Sequence, residues 1–372
     1  MRIAIFNWRD IKNPKAGGAE IVTHEYARGW TKAGHRVVVI CPAFPNSPKK
    51  ETIGGVEYRR LGIRTSGNYL LIHILAFFYY QRCLKGKIDL VVDQIHGIPF
   101  FTPLYIKEKK LAFICEVADR IWFDMYPFVI AWVGKAIENA YFQLYKNTRF
   151  LTISKSTRDD LIRKGIKTPN ITVIYPGIKM KNSKIYPKGK IPTLIYLNRI
   201  CRMKNLKDAI IAYKYVSEKM GNARFWIVGQ VSDRKYYLEC RKLVSDLNLR
   251  GVKFFGYVSE AQKIELLSKA HVLVHTSVKE GWGMNILEAN SCGTPSVGYN
   301  VHGLRETIKD GITGLITEKN NPKELAEITY NLLKDKSKYK DMIDQGKKWA
   351  GSFSWEKAVK KSLNHIKTLQ TL

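Results

Sequence analysis

The run His271-Val272-Leu273-Val274-His275, followed by Glu280-Gly281-Trp282-Gly283-Met284-Asn285-Ile286-Leu287-Glu288 and then Ala289-Asn290-Ser291-Cys292-Gly293-Thr294-Pro295, organises the chain. Its first part is apolar and alternating, which reads as a buried strand. Glycines follow Glu280, and a helix-forming run then ends at Gly293, with Pro295 just beyond as a stop signal. The expectation is strand, glycine loop and short helix at the carboxyl edge of a parallel sheet. Ligands bind at such edges, and a helix N-terminus there offers free N–H groups to phosphate.

Two carboxylates bracket that helix start. Glu280 lies in the loop, and Glu288 about one turn into the helix, roughly 6–8 Å further along at a rise of about 1.5 Å per residue. A ligand with hydroxyls on both sides of a diphosphate, such as a nucleotide sugar, suits that spacing. A helix-dipole glutamate plus a surface glutamate, with the glycines serving only as turns, suits it equally.

The remainder of the chain narrows the choice. At 372 residues two domains are expected. The net charge of +30 implies an anionic partner: nucleic acid, acidic lipid headgroups or phosphorylated substrate. No nucleic-acid-binding pattern accompanies it, and the lysines are spread along the chain, as on a solvated surface. Cys41, Cys83, Cys115, Cys201, Cys240 and Cys292 are scattered without a Cys-x-x-Cys pair, which fits free thiols in a reducing cytoplasm. The start reads straight into a strand, so no leader is expected. Residues 69–80 are the most apolar run, too short to span a bilayer, and read as a buried helix or one that touches a membrane surface.

Residues 2–8, a loop with Gly17-Gly18, a helix from about Ala19 to Gly34 and a strand over 35–41 form a βαβ opening. The loop lacks Gly-x-Gly-x-x-Gly and the second strand ends without an acid, which argues against a dinucleotide dehydrogenase. Further strands are expected at 88–92, 111–115, 150–154 and 171–174, the third followed by a helix capped by Ser154 or Ser156. The aromatic-rich segment 121–132 is expected to be mostly core, or, where exposed beside bases, a membrane-facing or acceptor-facing patch. A second alternating series places strands at 193–197, 224–228, 253–256, 271–275 and 295–299, and a closing helix at about 355–369. His271 and His275 are four apart, but in a strand pattern, and read as core or edge residues rather than zinc ligands.

Taken in order, Gly17-Gly18-Ala19-Glu20, Ser154-Lys155-Ser156-Thr157, Tyr175-Pro176-Gly177, Arg199 with Lys204, Gly229 after a strand, Phe255-Gly256-Tyr257-Val258, the Glu280-to-Glu288 run and Gly311-Ile312-Thr313-Gly314-Leu315 resemble glycosyltransferase family 4 across nearly the whole chain. The resemblance implies retaining enzymes of α/β GT-B architecture, two Rossmann-like doubly wound domains facing across a cleft. The expected domains are 1–176 on the acceptor side, 177–352 on the nucleotide-sugar donor side, and a helix over 353–372 that packs back on the first.

The same resemblance assigns roles. Glu280 holds hydroxyls of the donor sugar and Glu288 the ribose. Arg199 and Lys204 stabilise the diphosphate as it gains charge, which fixed cations do best in the transition state. Gly281, Trp282, Gly283, Met284 and Asn285 form the donor-binding loop, with Met284 and Asn285 offering backbone N–H groups. Tyr257 and Val258 lie against the base, Gly229 lines the donor site, and Gly17 and Gly18 approach the phosphate from the other domain. Many family members carry a histidine after the strand at 111–115. Here Glu116 stands there, with Asp119 beyond it, and is expected to hold the sugar or the acceptor hydroxyl. His96, at another strand end, is a second acceptor-side candidate or a turn residue.

No Asp-x-Asp is present, so no metal and no cofactor is expected. The implied activity is transfer of a hexose from a nucleotide diphosphate sugar to a hydroxyl acceptor on a glycan, glycolipid or protein-linked glycan. The partners would be the nucleotide sugar, that acceptor and an anionic membrane surface, with the protein cytoplasmic or peripheral on the cytoplasmic membrane face. The alternatives are a sugar-nucleotide epimerase of the same fold and, from another class, a basic nucleic-acid-binding protein.

Overall fold

The computed structural model describes residues 1–65, 71–179 and 184–371. Tyr69 and Leu70 of the apolar run, and residues 180–183 just past the expected domain boundary at 176/177, lie outside them. The chain divides into two compact units, Met1–Gly177 with Trp355–Leu372, and Ile178–Ser354.

The first unit is built from β1 (Arg2–Phe6), α1 (Gly18–Lys32), β2 (Arg36–Pro42), β3 (Lys50–Ile53), β4 (Val56–Leu61), α2 (Leu71–Tyr79), β5 (Leu90–Ile95), β6 (Lys109–Ile114), α3 (Ile121–Met125), α4 (Phe128–Leu144), β7 (Arg149–Thr152), α5 (Lys155–Arg163) and β8 (Ile171–Val173). Its strands align in the order β3-β4-β2-β1-β5-β6-β7-β8, parallel except for the β3–β4 hairpin. The chain winds outward from β1 through β2, returns, and starts outward again at β5. The two directions diverge between β1 and β5, and the ends of those strands open the crevice where such sheets hold ligands. Ser154 caps α5, its Oγ accepting from the Thr157 amide.

The second unit repeats the plan with β9 (Thr193–Leu197), α6 (Leu206–Met220), β10 (Arg224–Val228), α7 (Arg234–Asp246), β11 (Val252–Gly256), α8 (Glu260–Lys269), β12 (Val272–His275), α9 (Met284–Ser291), β13 (Ser296–Gly298), α10 (Leu304–Thr307), β14 (Gly314–Ile316), α11 (Pro322–Lys334) and α12 (Lys336–Gly351). The parallel order is β11-β10-β9-β12-β13-β14, so here the directions diverge between β9 and β12. Both units are Rossmann-like α/β layers.

The last helix, α13 (Trp355–Thr371), belongs to the first unit. Trp30 Nε1 of α1 donates to Ser362 Oγ at 3.0 Å, and Tyr26 meets Trp355 edge-on. Gly29 is bare so that Val359 can sit against it: a Cβ there would lie 2.2 Å from a Val359 methyl.

One expectation is corrected. The aromatic-rich segment 121–132 is not mostly core. No residue of α3 is buried, and Phe128, Val129, Ile130 and Trp132 are all exposed. An apolar helical run has the same periodicity whether protein or something else covers it, so the pattern alone could not tell. Within residues 71–80, Ile72, Ala76 and Tyr80 are buried while Ile74 and Phe78 face outward.

Candidate active site

In the second unit the site forms where β9 and β12 diverge. The chain leaves β9 through Asn198 and Arg199 and makes a short turn, Arg202–Lys204. It leaves β12 through Thr276 and Ser277 towards Glu280. Hydrogen bonds sew these two loops together. Thr276 Oγ1 donates to the Asn205 carbonyl at 2.7 Å and the Val278 amide to the Met203 carbonyl at 3.0 Å, while Tyr196 Oη of β9 holds the first loop by donating to the Lys204 carbonyl at 3.1 Å.

That frame sets Lys204 Nζ 2.5 Å from Glu280 Oε1, with side chains only 9% and 13% exposed. Ser277 Oγ donates to the same carboxylate oxygen at 3.0 Å, and His275 Nε2 lies 3.5 Å away. Burial alone would raise the Glu280 pKa; the Lys204 ammonium, His275 and the two hydrogen bonds outweigh it and hold the carboxyl below its usual range. His275 itself is fully buried, with Asn198 Nδ2 at 3.3 Å from its Nε2. Burial, reinforced by Lys204 and opposed by Glu280, takes its pKa down to about 4, so it is neutral near pH 7. Arg199 is partly exposed at the same strand end and makes no ion pair with another described residue.

The helix start is as expected. Gly283 caps α9 at φ 84°, a left-handed conformation that glycine adopts without strain. The Met284 and Asn285 amides open the helix and have no acceptor inside it, while the Asn285 side chain donates to the Leu197 carbonyl at 2.6 Å and pins α9 to the end of β9. Glu288 Oε1 accepts from Lys263 Nζ at 2.8 Å, and Lys263 also pairs with Glu260. Burial dominates at Glu288 and raises its pKa despite Lys263. Its carboxylate is thus partly buried beside a cation that the sequence reading did not include.

Gly229 follows β10, and a Cβ there would lie 1.8 Å from the Asn198 carbonyl oxygen, so the strand ends meet only because this residue is bare. Tyr257 stands 81% exposed after β11, free to stack on a planar ring, while Val258 packs against the core under it. The Trp282 indole is buried against Phe353, and its carbonyl accepts from Thr307 Oγ1. Any role of Trp282 towards a ligand therefore falls to its main chain. Gly281 lies buried beside it.

In the first unit the corresponding crevice lies between the ends of β1 and β5. Trp8 and His96 stack there, ring centroids 3.9 Å apart and 13° from parallel, and the Arg9 guanidinium lies 4.0 Å over Trp8. His96 thus sits at the point where the topology puts ligands. Gly17 and Gly18 begin α1 after β1, and the Gly17 amide donates to the buried Glu20 carboxylate at 2.6 Å. Glu116 follows β6 and is half-buried. Asp119 adopts φ 42°, its amide donating to Glu138 at 3.0 Å and its carboxylate lying 3.5 Å from Lys135 and 3.8 Å from Lys164. These pairs tie down the segment that leads into α3.

Residues 16–181 match the family model described as Glycosyltransferase Family 4, and residues 179–349 the one described as Glycosyl transferases group 1. The chain belongs to the family 4 type of glycosyltransferases. Two uncharacterized glycosyltransferases of Methanocaldococcus jannaschii are similar to it. One is 29% identical over 60% of this chain and 61% of its own length, the other 27% identical over 99% and 98%. Among solved structures, Anabaena HepE, determined in complex with UDP-glucose, superposes with a TM-score of 0.79 at 16% identity over 99% of this chain and 100% of that one. The glycosyltransferase fold is GT-B.

Sequence reasoning passed over three residues that the structure brings to this site. His275 reads as a core histidine in an apolar strand, which it is, but it ends that strand against Glu280. Ser277 lies three positions before Glu280, a spacing that would have flagged it. Lys263 sits on α8, and no sequence signal connects it with Glu288.

Proposed function

We propose that this glycosyltransferase moves a hexose from a nucleotide diphosphate sugar to a hydroxyl acceptor with retention of configuration and without a metal. The observation that carries the reading is the Glu280 carboxylate. It is ionised, nearly buried and held by Lys204 and Ser277 beside the open amides of α9, where strand topology puts a ligand.

A carboxylate so held accepts hydrogen bonds from sugar hydroxyls, while Arg199, Lys204 and the α9 N-terminus supply positive field to a diphosphate. The bond from the sugar carbon to phosphate oxygen breaks as the acceptor oxygen bonds to that carbon from the same face. The acceptor proton passes to the departing phosphate oxygen. Since that oxygen gains charge only as the bond breaks, fixed cations stabilise the transition state more than the bound donor. Glu288 is suited to a ribose and Tyr257 to a base. Glu116 and His96 are the acceptor-side candidates, and the acceptor class is a glycan or a lipid-linked sugar.

Purified protein incubated with a panel of nucleotide sugars, UDP-glucose first, tests the reading. Slow release of nucleotide diphosphate, undiminished by EDTA, is the expected result. An altered sugar with the nucleotide still attached would make the protein an epimerase. No turnover and no donor-dependent rise in melting temperature would overturn the reading.

A further inference from the structure

The α4 helix is apolar on both sides. Ala131, Gly134, Tyr141 and Phe142 turn inward at helical spacing. The outer side carries Phe128, Val129, Trp132, Val133 and Ile137, between 43% and 72% exposed. From Met125 through Gly134 there is no charged side chain. A solvated helix face is normally charged, and a contiguous apolar patch of this kind marks a surface that something covers.

The α2 helix adds to the same side of the sheet. Ile72 and Ala76 of α2 share a core with Val91 of β5, whereas Tyr141 and Phe142 of α4 share one with Ile95 of β5. Val91 and Ile95 are four positions apart in a strand, so they point to one face. Hence α2 and α4 cover the same face, and the outward Ile74 (57%), Phe78 (50%) and neighbouring Leu104 (65%) continue its apolar character. The opposite face is taken: Phe113, which alternates with Ala112 and Ile114, packs on Tyr26 of α1, and Tyr26 on Trp355 of α13.

Charge selects the occupant. Exposed Arg82 lies over the Phe78 ring at 6.0 Å, and Lys135 over the Phe123 ring at 5.7 Å, so cations border both apolar stretches. A second copy would bring another +30 body and its own bordering cations against these. An anionic lipid surface offers hydrocarbon to the aromatics and negative headgroups to the bases. No described helix is long and apolar enough to cross a membrane, which leaves the surface of one.

We propose that the α2/α4 face of the first unit docks reversibly on an anionic bilayer, with Phe128, Val129, Trp132 and Val133 entering the interface and the bordering cations meeting the headgroups. The surface is built from first-unit residues and the donor site from second-unit residues, so the proposal stands or falls independently of the sugar chemistry.

Co-sedimentation with phosphatidylglycerol/phosphatidylcholine vesicles, against pure phosphatidylcholine, tests it. The protein should pellet with the anionic vesicles at low salt and be largely released at about 0.5 M salt, where charges are screened over a few ångströms. Val129→Ser, Trp132→Ser and Val133→Ser together should weaken binding roughly tenfold or more, because each removes interfacial apolar area. Their exposure predicts an unchanged melting temperature, and turnover of a soluble donor should also persist. Equal binding to both vesicle types, or undiminished binding by the triple variant, would overturn the proposal. So would a dimer that the same substitutions dissociate, since the face would then cover a second copy.

Discussion

Without the Lys204 ammonium, Glu280 would keep its low exposure and lose the partner that holds it ionised. Lys204→Ala should therefore cost about 3 kcal/mol of stability near neutral pH, the scale for breaking a buried pair, read as a lowered melting temperature. It should also slow transfer roughly 10²–10³-fold. Arg199, with no ion pair to a described residue, separates the two effects: Arg199→Ala should slow transfer on the same scale with little loss of stability. Glu280→Gln should lower turnover far more than affinity for the free nucleotide diphosphate, because the carboxylate is assigned to the sugar. Equal losses in both, measured by kinetics and calorimetry, would move that assignment. The types and order of Glu280, Arg199 and Lys204 were legible in the sequence. Their pairing was not, because 76 positions separate Lys204 from Glu280 and only the folded sheet closes that gap. His275 was legible as buried, but an apolar alternation reports burial and says nothing of what the buried atom touches.

At the scale of elements, the glycine after β10 is the most exacting position. Gly229 has φ 146°, and any side chain there meets the Asn198 carbonyl. Gly229→Ala should destabilise the second unit by at least about 2 kcal/mol, combining backbone strain with a clash against main chain. Because Asn198 precedes Arg199, transfer should fall as well, and a thermal melt with a rate assay at lower temperature distinguishes the two losses. Most strands of both sheets were legible, since apolar runs bounded by glycine and proline leave few alternatives. The β3–β4 hairpin was not read, although Gly54-Gly55 between two alternating runs announces it, both with positive φ. The outward side of α4 was out of reach for another reason: sequence periodicity reports that a side is apolar, never what covers it.

For the whole molecule, acidity acts on both units at once. His271 and His275 in the second unit and His365 in the first each have the pKa lowered to about 4, chiefly by burial. At these three rings the folded protein binds fewer protons than the unfolded chain between about pH 6.5, the ordinary histidine value, and pH 4, while buried Glu288 and Asp93, whose pKa values burial raises, pull the other way at the acid end. These rings make stability rise with pH across that window and fall as pH drops through it. Fully buried His275 contributes up to about 1.4 kcal/mol per pH unit, and the partly exposed pair less. Melting temperatures recorded from pH 7 to pH 4 should decline steadily, and a flat profile would mean these rings are hydrated.

The helix that returns to the first unit also sets a timetable. Trp30 and its partner Ser362 are 332 positions apart, whereas the second unit is one continuous stretch, Ile178–Ser354. At about 5–20 residues per second, a ribosome needs roughly 15–70 s between those two residues. During that interval the side of α1 that receives α13 has nothing to close it, and the second unit is free to finish first. The unit begun first is thus completed last, and a nascent chain halted before α13 would expose Trp30, Tyr26 and Gly29 to whatever chaperone waits at the exit tunnel.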